Sequence, residues 1–354
     1  MACEISRRST TCPRPRRPSA VRAGLGLAVL AAMLAAGAPA RALTLAEIEK
    51  DLALSSSEKA QLESGKVVSR TVANSNEREL AVGLAVKIDR PPADLAKELL
   101  SGLAQRQNPD VLGRGAIKSG DIAEFAGVKL KDAAAAQAYL SVKPGDSLNL
   151  SSAEIAAFQA LAKQPAAASD PKAAVEGLIR QQLQARYQAY AAKGLAGIAP
   201  YARASGEARP DQDLLAATRA SKLFAKYAPR MVQLLVDYPK SRPANLDERF
   251  QWTLYNANGQ RAIVLVQFLA LPDGDAWSVA ARQYYVSASY NAEQNVMLLV
   301  PADEGGTVGI ALSRVSTEQV AGFGGSMKRG IGSKMMADTL SGIAARVRQA
   351  AGKK

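Results

Sequence analysis

Histidine is missing from the whole chain of 354 residues, and cysteine occurs only at Cys3 and Cys12. Without histidine the chain cannot form a Ser-His-Asp triad or a Cys-His dyad, and it has no imidazole base that titrates near neutral pH. It also lacks the commonest protein ligand of zinc and copper. Carboxylates, lysines, tyrosines and serines remain as groups that could carry catalysis. We therefore predict no metal site and no cofactor.

Both cysteines lie in an N-terminal segment that has the order of an export signal. Arginines between Arg7 and Arg22 precede an apolar run at 23–36, and small residues with signal-peptidase spacing follow at 38–42. The run is too short for a membrane-spanning helix. We predict a removable signal peptide over residues 1–42, exported by the Sec route rather than the twin-arginine route. The mature chain, residues 43–354, would be periplasmic or secreted and free of disulfides.

The charge balance changes when this segment is removed. The whole chain has 45 basic and 32 acidic residues, and the segment holds seven arginines and one glutamate, so 38 and 31 remain, a net charge of about +7. The basic residues are scattered rather than interleaved with aromatics, so we predict no nucleic-acid partner. A basic surface of this kind is either simply solvated or makes peripheral contact with an anionic membrane surface. No later apolar run has the length of a transmembrane span.

Alternating apolar residues predict two strands near the start of the mature chain, at 67–72 and 78–88. The second would place Leu80, Val82, Leu84, Val86 and Ile88 on one face, and Pro91-Pro92 then opens a helix that runs to about 103. Residues 132–238 are helical and rich in alanine. One helix there would begin at Pro171, after the N-cap Asp170, and close at Gly194.

The last third predicts an antiparallel meander followed by a long helix. Turn-forming segments separate five β-rich runs, which lie at 250–255, 263–269, 277–287, 296–300 and 308–315. The helix would span 326–350 and carry six apolar residues on one side: Met327, Ile331, Met335, Leu340, Ile343 and Val347. We expect the early strands to join the late strands in one curved sheet that holds this helix.

This order of elements resembles the START-like superfamily, whose helix-grip fold wraps a curved antiparallel sheet around a C-terminal helix. The resemblance covers 65–103 and 245–350, and includes the strand that leads through Pro91-Pro92 into a helix. It implies an α+β fold, with a START-like domain made from 65–130 and 245–354 and a helical insertion at about 131–244. It also implies a cavity between sheet and helix that binds apolar ligands; some members are cyclases or hydrolases.

Four residues are candidate ligand-binding residues: Trp252, Arg282, Tyr284 and Arg314. Strand alternation places Arg282 and Tyr284 on one face and Gln283, Tyr285 and Ser287 on the other, with one set facing the cavity. The alternative for the tyrosines, and for Trp252, is packing in the core.

Arg314 shares a strand face with apolar residues and needs a partner if it is buried. Glu248 and Glu318 are the candidate partners, and the alternative is an arginine that reaches water at the end of the sheet. No residue stands out as catalytic.

Three functions remain open from the sequence. The first is an exported, non-catalytic protein that holds a hydrophobic small molecule or a lipid-like amphipathic ligand in the cavity. The second is an enzyme without histidine, a hydrolase or cyclase, that uses Asp, Glu, Tyr or Lys in the same cavity. The third is an envelope interaction module whose helical middle region binds a protein. A buried carboxylate with a shifted pKa in the cavity wall would favour the second.

Overall fold

The computed structural model describes residues 44–257 and 259–352, so the signal predicted for residues 1–42 lies outside the described residues. The strands of the described chain are β1 Val68–Thr71, β2 Glu79–Ile88, β3 Val111–Ile117, β4 Tyr201–Ala202, β5 Glu207–Ala208, β6 Asp247–Ala257, β7 Gln260–Asp273, β8 Ala276–Val286, β9 Ala292–Pro301 and β10 Thr307–Ser316. The short pair β4 and β5 stands alone, and the other strands form one sheet.

The described helices divide into an early group, a middle group and one long C-terminal helix. Their bounds are α1 Leu45–Asp51, α2 Ser56–Glu63, α3 Pro92–Leu100, α4 Leu103–Arg106, α5 Ala133–Leu140, α6 Ser152–Leu161, α7 Pro165–Ser169, α8 Pro171–Lys193, α9 Pro210–Ala220, α10 Lys222–Tyr227, α11 Pro229–Asp237 and α12 Gly325–Ala351. Within the described residues, no helix has the length and apolar character needed to cross a membrane.

In the described chain the large sheet has eight antiparallel strands in the order β1-β2-β10-β9-β8-β7-β6-β3. β2 pairs along its whole length with β10, from Ile88 opposite Thr307 to Glu79 opposite Ser316. The expectation that the early hairpin and the late meander share one sheet is therefore confirmed. The sheet is not closed into a barrel, and its two edges are β1 and β3.

Helices cover both faces of the sheet. On one face, α3 and α12 pack on a core that includes Val264, Phe268 and Val347. On the other face, the middle helices α5 to α11 pack on a larger core, to which Val175, Leu183 and other apolar residues of α8 contribute. The α+β class, the long C-terminal helix and the helices inserted between β3 and β6 agree with the prediction.

Local signals explain where α8 begins and ends. The Asp170 side chain accepts a hydrogen bond from the Ala173 backbone N–H at 3.0 Å, and Pro171 occupies the first helical position, where no backbone N–H is needed. Gly194 ends the helix with a φ of +58°, and a Cβ there would lie 1.9 Å from the Tyr238 carbonyl oxygen. Both ends match the helix predicted from the sequence.

The segment after α4 forms a strand that the sequence signals only weakly. β3 pairs with β6 at the sheet edge, from Val111 opposite Tyr255 to Ile117 opposite Phe250. Gly115 lies against the indole of Trp252, where a Cβ would approach ring atoms to 2.5 Å. The glycines that weaken the strand signal therefore make room for a tryptophan that packs across them.

Candidate functional site

A cavity of about 500 Å³ lies between the sheet and the helices α3, α4 and α12. This volume is within the range of small-molecule sites in proteins. The strands β2, β10, β9, β8 and β7 all contribute to its wall, so residues from both ends of the described chain build it. The cavity therefore lies between the sheet and the C-terminal helix, where the helix-grip resemblance implies one.

Most of the cavity wall is apolar, because alternate residues of neighbouring strands share a face. Leu80, Leu84 and Val86 of β2 line it, and their partners across the ladder on β10 are Val315, Ala311 and Gly309. Gly309 and Ala311 have little or no side chain, so they leave space beneath the helix where a larger residue would fill it.

The helix side of the cavity is also apolar and includes pliable side chains. Met336, Leu340 and Ile343 of α12 border the cavity, together with Leu99 of α3. Methionine has an unbranched and polarizable side chain that adapts to the shape of a partner. This wall can therefore accommodate apolar groups of more than one shape.

A polar cluster, consisting of Gln283, Tyr290, Glu293, Asn295 and Ser313, interrupts the apolar wall. Glu293 accepts hydrogen bonds from the Gln283 amide at 2.6 Å, the Asn295 amide at 2.7 Å and the Ser313 hydroxyl at 3.4 Å. The Tyr290 hydroxyl donates to the Gln283 Oε1 atom at 2.5 Å. All the groups that hydrogen-bond to Glu293 here are neutral, so the carboxyl lies among dipoles rather than beside a cation.

Burial raises the pKa of the Glu293 carboxyl above its ordinary value of 4.5, although the hydrogen bonds from Asn295, Ser313 and Gln283 act in the opposite direction. Burial also raises the pKa of the Tyr255 hydroxyl, and the nearby Glu293 charge adds to that shift. The cluster thus holds an acid whose charged form is disfavoured at the wall of an apolar space. Such a group can donate a hydrogen bond when protonated and bind a donor or cation when ionised.

Arg282 and Tyr284 lie on the opposite face of the sheet, beneath the middle helices. Arg282 is fully buried and donates to the Gln294 Oε1 atom from Nε at 3.0 Å and from Nη2 at 2.7 Å. Tyr284 stacks on Tyr190 of α8. The structure brings these two predicted residues together, but in the core that joins the inserted helices to the sheet.

Trp252 and Arg314 also lie away from the cavity. The Trp252 indole N–H donates to the Glu124 carbonyl oxygen at 2.7 Å. Arg314 is buried and forms an ion pair with Glu79 at 2.5 Å. The expectation of an arginine reaching water is thus wrong, as are the partners Glu248 and Glu318, because pairing of β10 with β2 places Glu79 nearby. None of the four predicted residues borders the cavity in the described chain.

A β-bulge corrects the predicted faces of β8. Leu265 pairs with Tyr285 and Val266 with Gln283, so Tyr284 is an extra residue on β8. The bulge places both Tyr284 and Tyr285 in the core beneath the middle helices, whereas alternation had grouped Tyr285 with Gln283. Gln283 alone of that group borders the cavity.

The sequence does not identify four members of the polar cluster: Tyr290, Glu293, Asn295 and Ser313. The sequence places a turn between the predicted strands 277–287 and 296–300, but β9 begins at Ala292 and pairs with β10 from that residue. The alternation of Glu293, Asn295 and Met297 with Gln294 and Val296 could have indicated a strand with one polar end. The signal is weak because both faces carry polar residues there.

Comparisons with known proteins found no family model that matches the chain, and no significant match to a curated protein or to a solved structure. The arrangement of sheet, C-terminal helix and inserted helices is compatible with a helix-grip fold.

Proposed function

We propose that this protein is an exported binding protein that holds an amphipathic, lipid-like ligand in the cavity beneath α12. The observation that carries the proposal is a cavity of about 500 Å³ whose wall is apolar except for the polar cluster around Glu293. In this account the fold is START-like, and the inserted helices stabilise the far side of the sheet. Non-catalytic binding requires only the side chains that line the cavity, whereas catalysis would also require reactive groups positioned against the ligand.

The apolar wall would supply most of the affinity. Each methylene group transferred from water to an apolar site contributes about 0.8 kcal/mol, so about eight of them would contribute roughly 6 kcal/mol. Side chains from β2, β9 and α12 border this part of the cavity, including Leu84, Met297 and Ile343. Small residues such as Ala311, rather than specific polar contacts, set the shape of this part of the cavity.

The polar cluster would orient the ligand and select its polar end. Glu293 and the Gln283 and Asn295 amides face the cavity from adjacent strands. Since a buried carboxylate is stabilised by a donor or a cation, the ligand group placed there should carry an N–H or O–H. An amine or a hydroxyl fits this requirement better than a carboxylate, which would repel an ionised Glu293.

A fluorescence titration with N-phenyl-1-naphthylamine tests the proposal. This probe is apolar, carries one N–H and becomes fluorescent when it leaves water. We expect saturable binding near one probe per chain. Ala311→Trp, which puts an indole into the cavity, should lower affinity by about tenfold or more, since it removes space for apolar groups.

The matched control is Ala156→Trp, which adds the same ring at an exposed position on α6. It should bind the probe like the wild type. Equal binding by Ala311→Trp and the wild type, with both variants folded, would place the probe outside the cavity and remove the support for the proposal.

The raised pKa of Glu293 favours a second function, a histidine-independent enzyme in the same cavity. A carboxyl whose pKa is raised in this way can act as a general acid or base. Mass spectrometry of ligands extracted from the wild type and from Glu293→Gln distinguishes the two functions. The same compound in both supports binding alone. A compound that accumulates in Glu293→Gln and is converted by added wild-type protein supports catalysis.

The interaction module receives less support. Its basis would be an exposed apolar patch on the helices of 171–238. The large apolar side chains of α8, α9 and α11 are instead buried, among them Ile179, Leu214 and Met231. We therefore do not propose this role for the middle region.

A further inference from the structure

The most exposed apolar surface of the described chain lies at the start of α12. Phe323 is fully exposed, and Met327, Ile331 and Met335 are 74%, 57% and 63% exposed. Soluble proteins rarely expose several large apolar side chains next to one another without a function. We call these four residues the apolar stripe.

The apolar stripe faces outward while the other side of the helix is attached to the protein. Met327, Ile331 and Met335 are four residues apart, so they follow one side of the helix. On the attached side, Gly332 lies against Leu80, and Arg329 donates to the Glu77 carbonyl oxygen at 3.0 Å. The stripe is therefore presented on an anchored helix.

This arrangement corrects the sequence prediction that six apolar residues share one side of the C-terminal helix. Leu340, Ile343 and Val347 border the cavity or the core, whereas Met327 and Ile331 point away from the protein and Met335 lies exposed at the edge of the cavity. A step of five residues from Met335 to Leu340 turns the helix by about 140°. The six residues therefore occupy two sides of the helix.

In the chain segment that carries the apolar stripe, every charged residue is basic. Lys328, Arg329 and Lys334 lie in the segment 319–337, which contains no Asp or Glu. The Lys334 side chain is 77% exposed and forms an ion pair at 2.9 Å with Asp338, the first residue after this segment. Cations beside exposed apolar residues suit a surface that combines anionic headgroups with a hydrocarbon interior.

The apolar stripe also reaches the cavity. Met335 belongs to the apolar stripe and also borders the cavity. Its neighbour Met336, which is not part of the stripe, borders the cavity as well. An apolar ligand that passed between a membrane and the cavity at this point would remain in contact with apolar groups. A second copy of the chain fits less well, because it would bring an equally basic segment against this one.

We infer that the apolar stripe, with Lys328 and Lys334, docks the protein on the surface of a bilayer that contains anionic lipids. Phe323, Met327, Ile331 and Met335 enter the boundary between headgroups and acyl chains, and the lysines contact lipid phosphates. This docking does not require that the cavity contain a ligand. It goes beyond the proposed binding function and can be tested separately.

Binding of the full chain to vesicles of phosphatidylcholine, with or without phosphatidylglycerol, tests the inference by co-sedimentation. We expect Met327→Asp/Ile331→Asp to lower the affinity for phosphatidylglycerol vesicles by about tenfold or more, since it places charge in the apolar contact. Lys328→Glu/Lys334→Glu should remove the preference for phosphatidylglycerol. The matched control Leu112→Asp changes an exposed apolar residue of β3 and should bind like the wild type.

A local reporter separates docking by α12 from binding through residues 1–43, which all these variants share. Met327→Trp should show quenching by brominated lipid in the vesicles, and Leu112→Trp should show none beyond the wild-type background. Absence of quenching at position 327 would overturn the inference, as would equal vesicle binding by the wild type and Met327→Asp/Ile331→Asp. A concentration-dependent dimer in light scattering that Met327→Asp/Ile331→Asp abolishes would also overturn it, in favour of self-association.

Discussion

The rings of Tyr190 and Tyr284 stack with their centroids 4.0 Å apart and 6° between their planes. Tyr190 is on α8 and Tyr284 is on β8, so this contact joins the inserted helices to the centre of the sheet. The Tyr190 hydroxyl also donates to the Gln267 Oε1 atom at 2.6 Å. Side chains of the middle helices pack on this face of the sheet, whereas the cavity lies between the other face and α12.

Substitutions at this stack should change stability without changing binding in the cavity. Tyr284→Ala should lower the free energy of unfolding by about 3–5 kcal/mol, because it removes a large buried ring. Urea denaturation measures this change. N-phenyl-1-naphthylamine binding to the folded protein should stay at the wild-type level, and a large loss of affinity would contradict the separation of the two faces.

The two tyrosines should respond differently to loss of their hydroxyl groups. Within the described residues the buried Tyr284 hydroxyl has no hydrogen-bond partner, so Tyr284→Phe should stabilise the protein by about 1 kcal/mol. Tyr190→Phe should destabilise it by about 1–2 kcal/mol, because the Gln267 side chain loses a buried donor. Paired urea denaturation curves measure the difference, and equal effects of the two substitutions would contradict it.

The ion pair between Glu79 and Arg314 gives a further prediction, because each side chain is only 3% exposed. Glu79→Ala should lower the free energy of unfolding by about 3–5 kcal/mol, since it leaves a buried arginine without its acid. Glu79→Leu/Arg314→Met, which removes both charges, should recover most of that loss. A double variant as unstable as Glu79→Ala would show that the charge itself does not cause the loss.

Glu293 should make stability depend on pH. Its pKa in the folded protein is above the ordinary value of 4.5. In the pH window between that value and the raised pKa, the folded state therefore binds more protons than the unfolded state. Stability should therefore fall as the pH rises through this window, by at most about 1.4 kcal/mol per pH unit for one proton. Glu293→Gln should flatten this part of the profile.

The control for the pH profile is Glu304→Gln, which changes a carboxyl whose side chain is 88% exposed. Free energies of unfolding from urea curves at several pH values give the three profiles. A profile of Glu293→Gln as steep as that of the wild type, with Glu304→Gln also unchanged, would mean that Glu293 does not titrate in this window.

The sequence was informative where local patterns decide structure. Alternation and turn residues identified β2 and the five late strands, and Asp170, Pro171 and Gly194 marked the ends of α8. These signals need only neighbouring residues. They were sufficient for the order of elements and the α+β class, whereas the place of the cavity came from the resemblance of that order to the helix-grip fold.

The residues of the site depended on contacts that local patterns do not encode. The bulge at Tyr284 follows from the pairing of β8 with β7, and it moves Tyr285 to the face of Arg282. The partner of Arg314 is Glu79, 235 residues earlier in the chain. Glu293 is identified as a site residue by the pairing of β9 with β10, which brings it beside Ser313.

Quantitative mass spectrometry of ligands extracted from the purified protein tests the central claim most directly. If the cavity holds an amphipathic ligand, the wild type and Ala156→Trp should release one compound in near-stoichiometric amount, with an apolar segment and an N–H or O–H group. Ala311→Trp should release much less. No stoichiometric compound from the wild type, or the same amount from folded Ala311→Trp, would contradict the account.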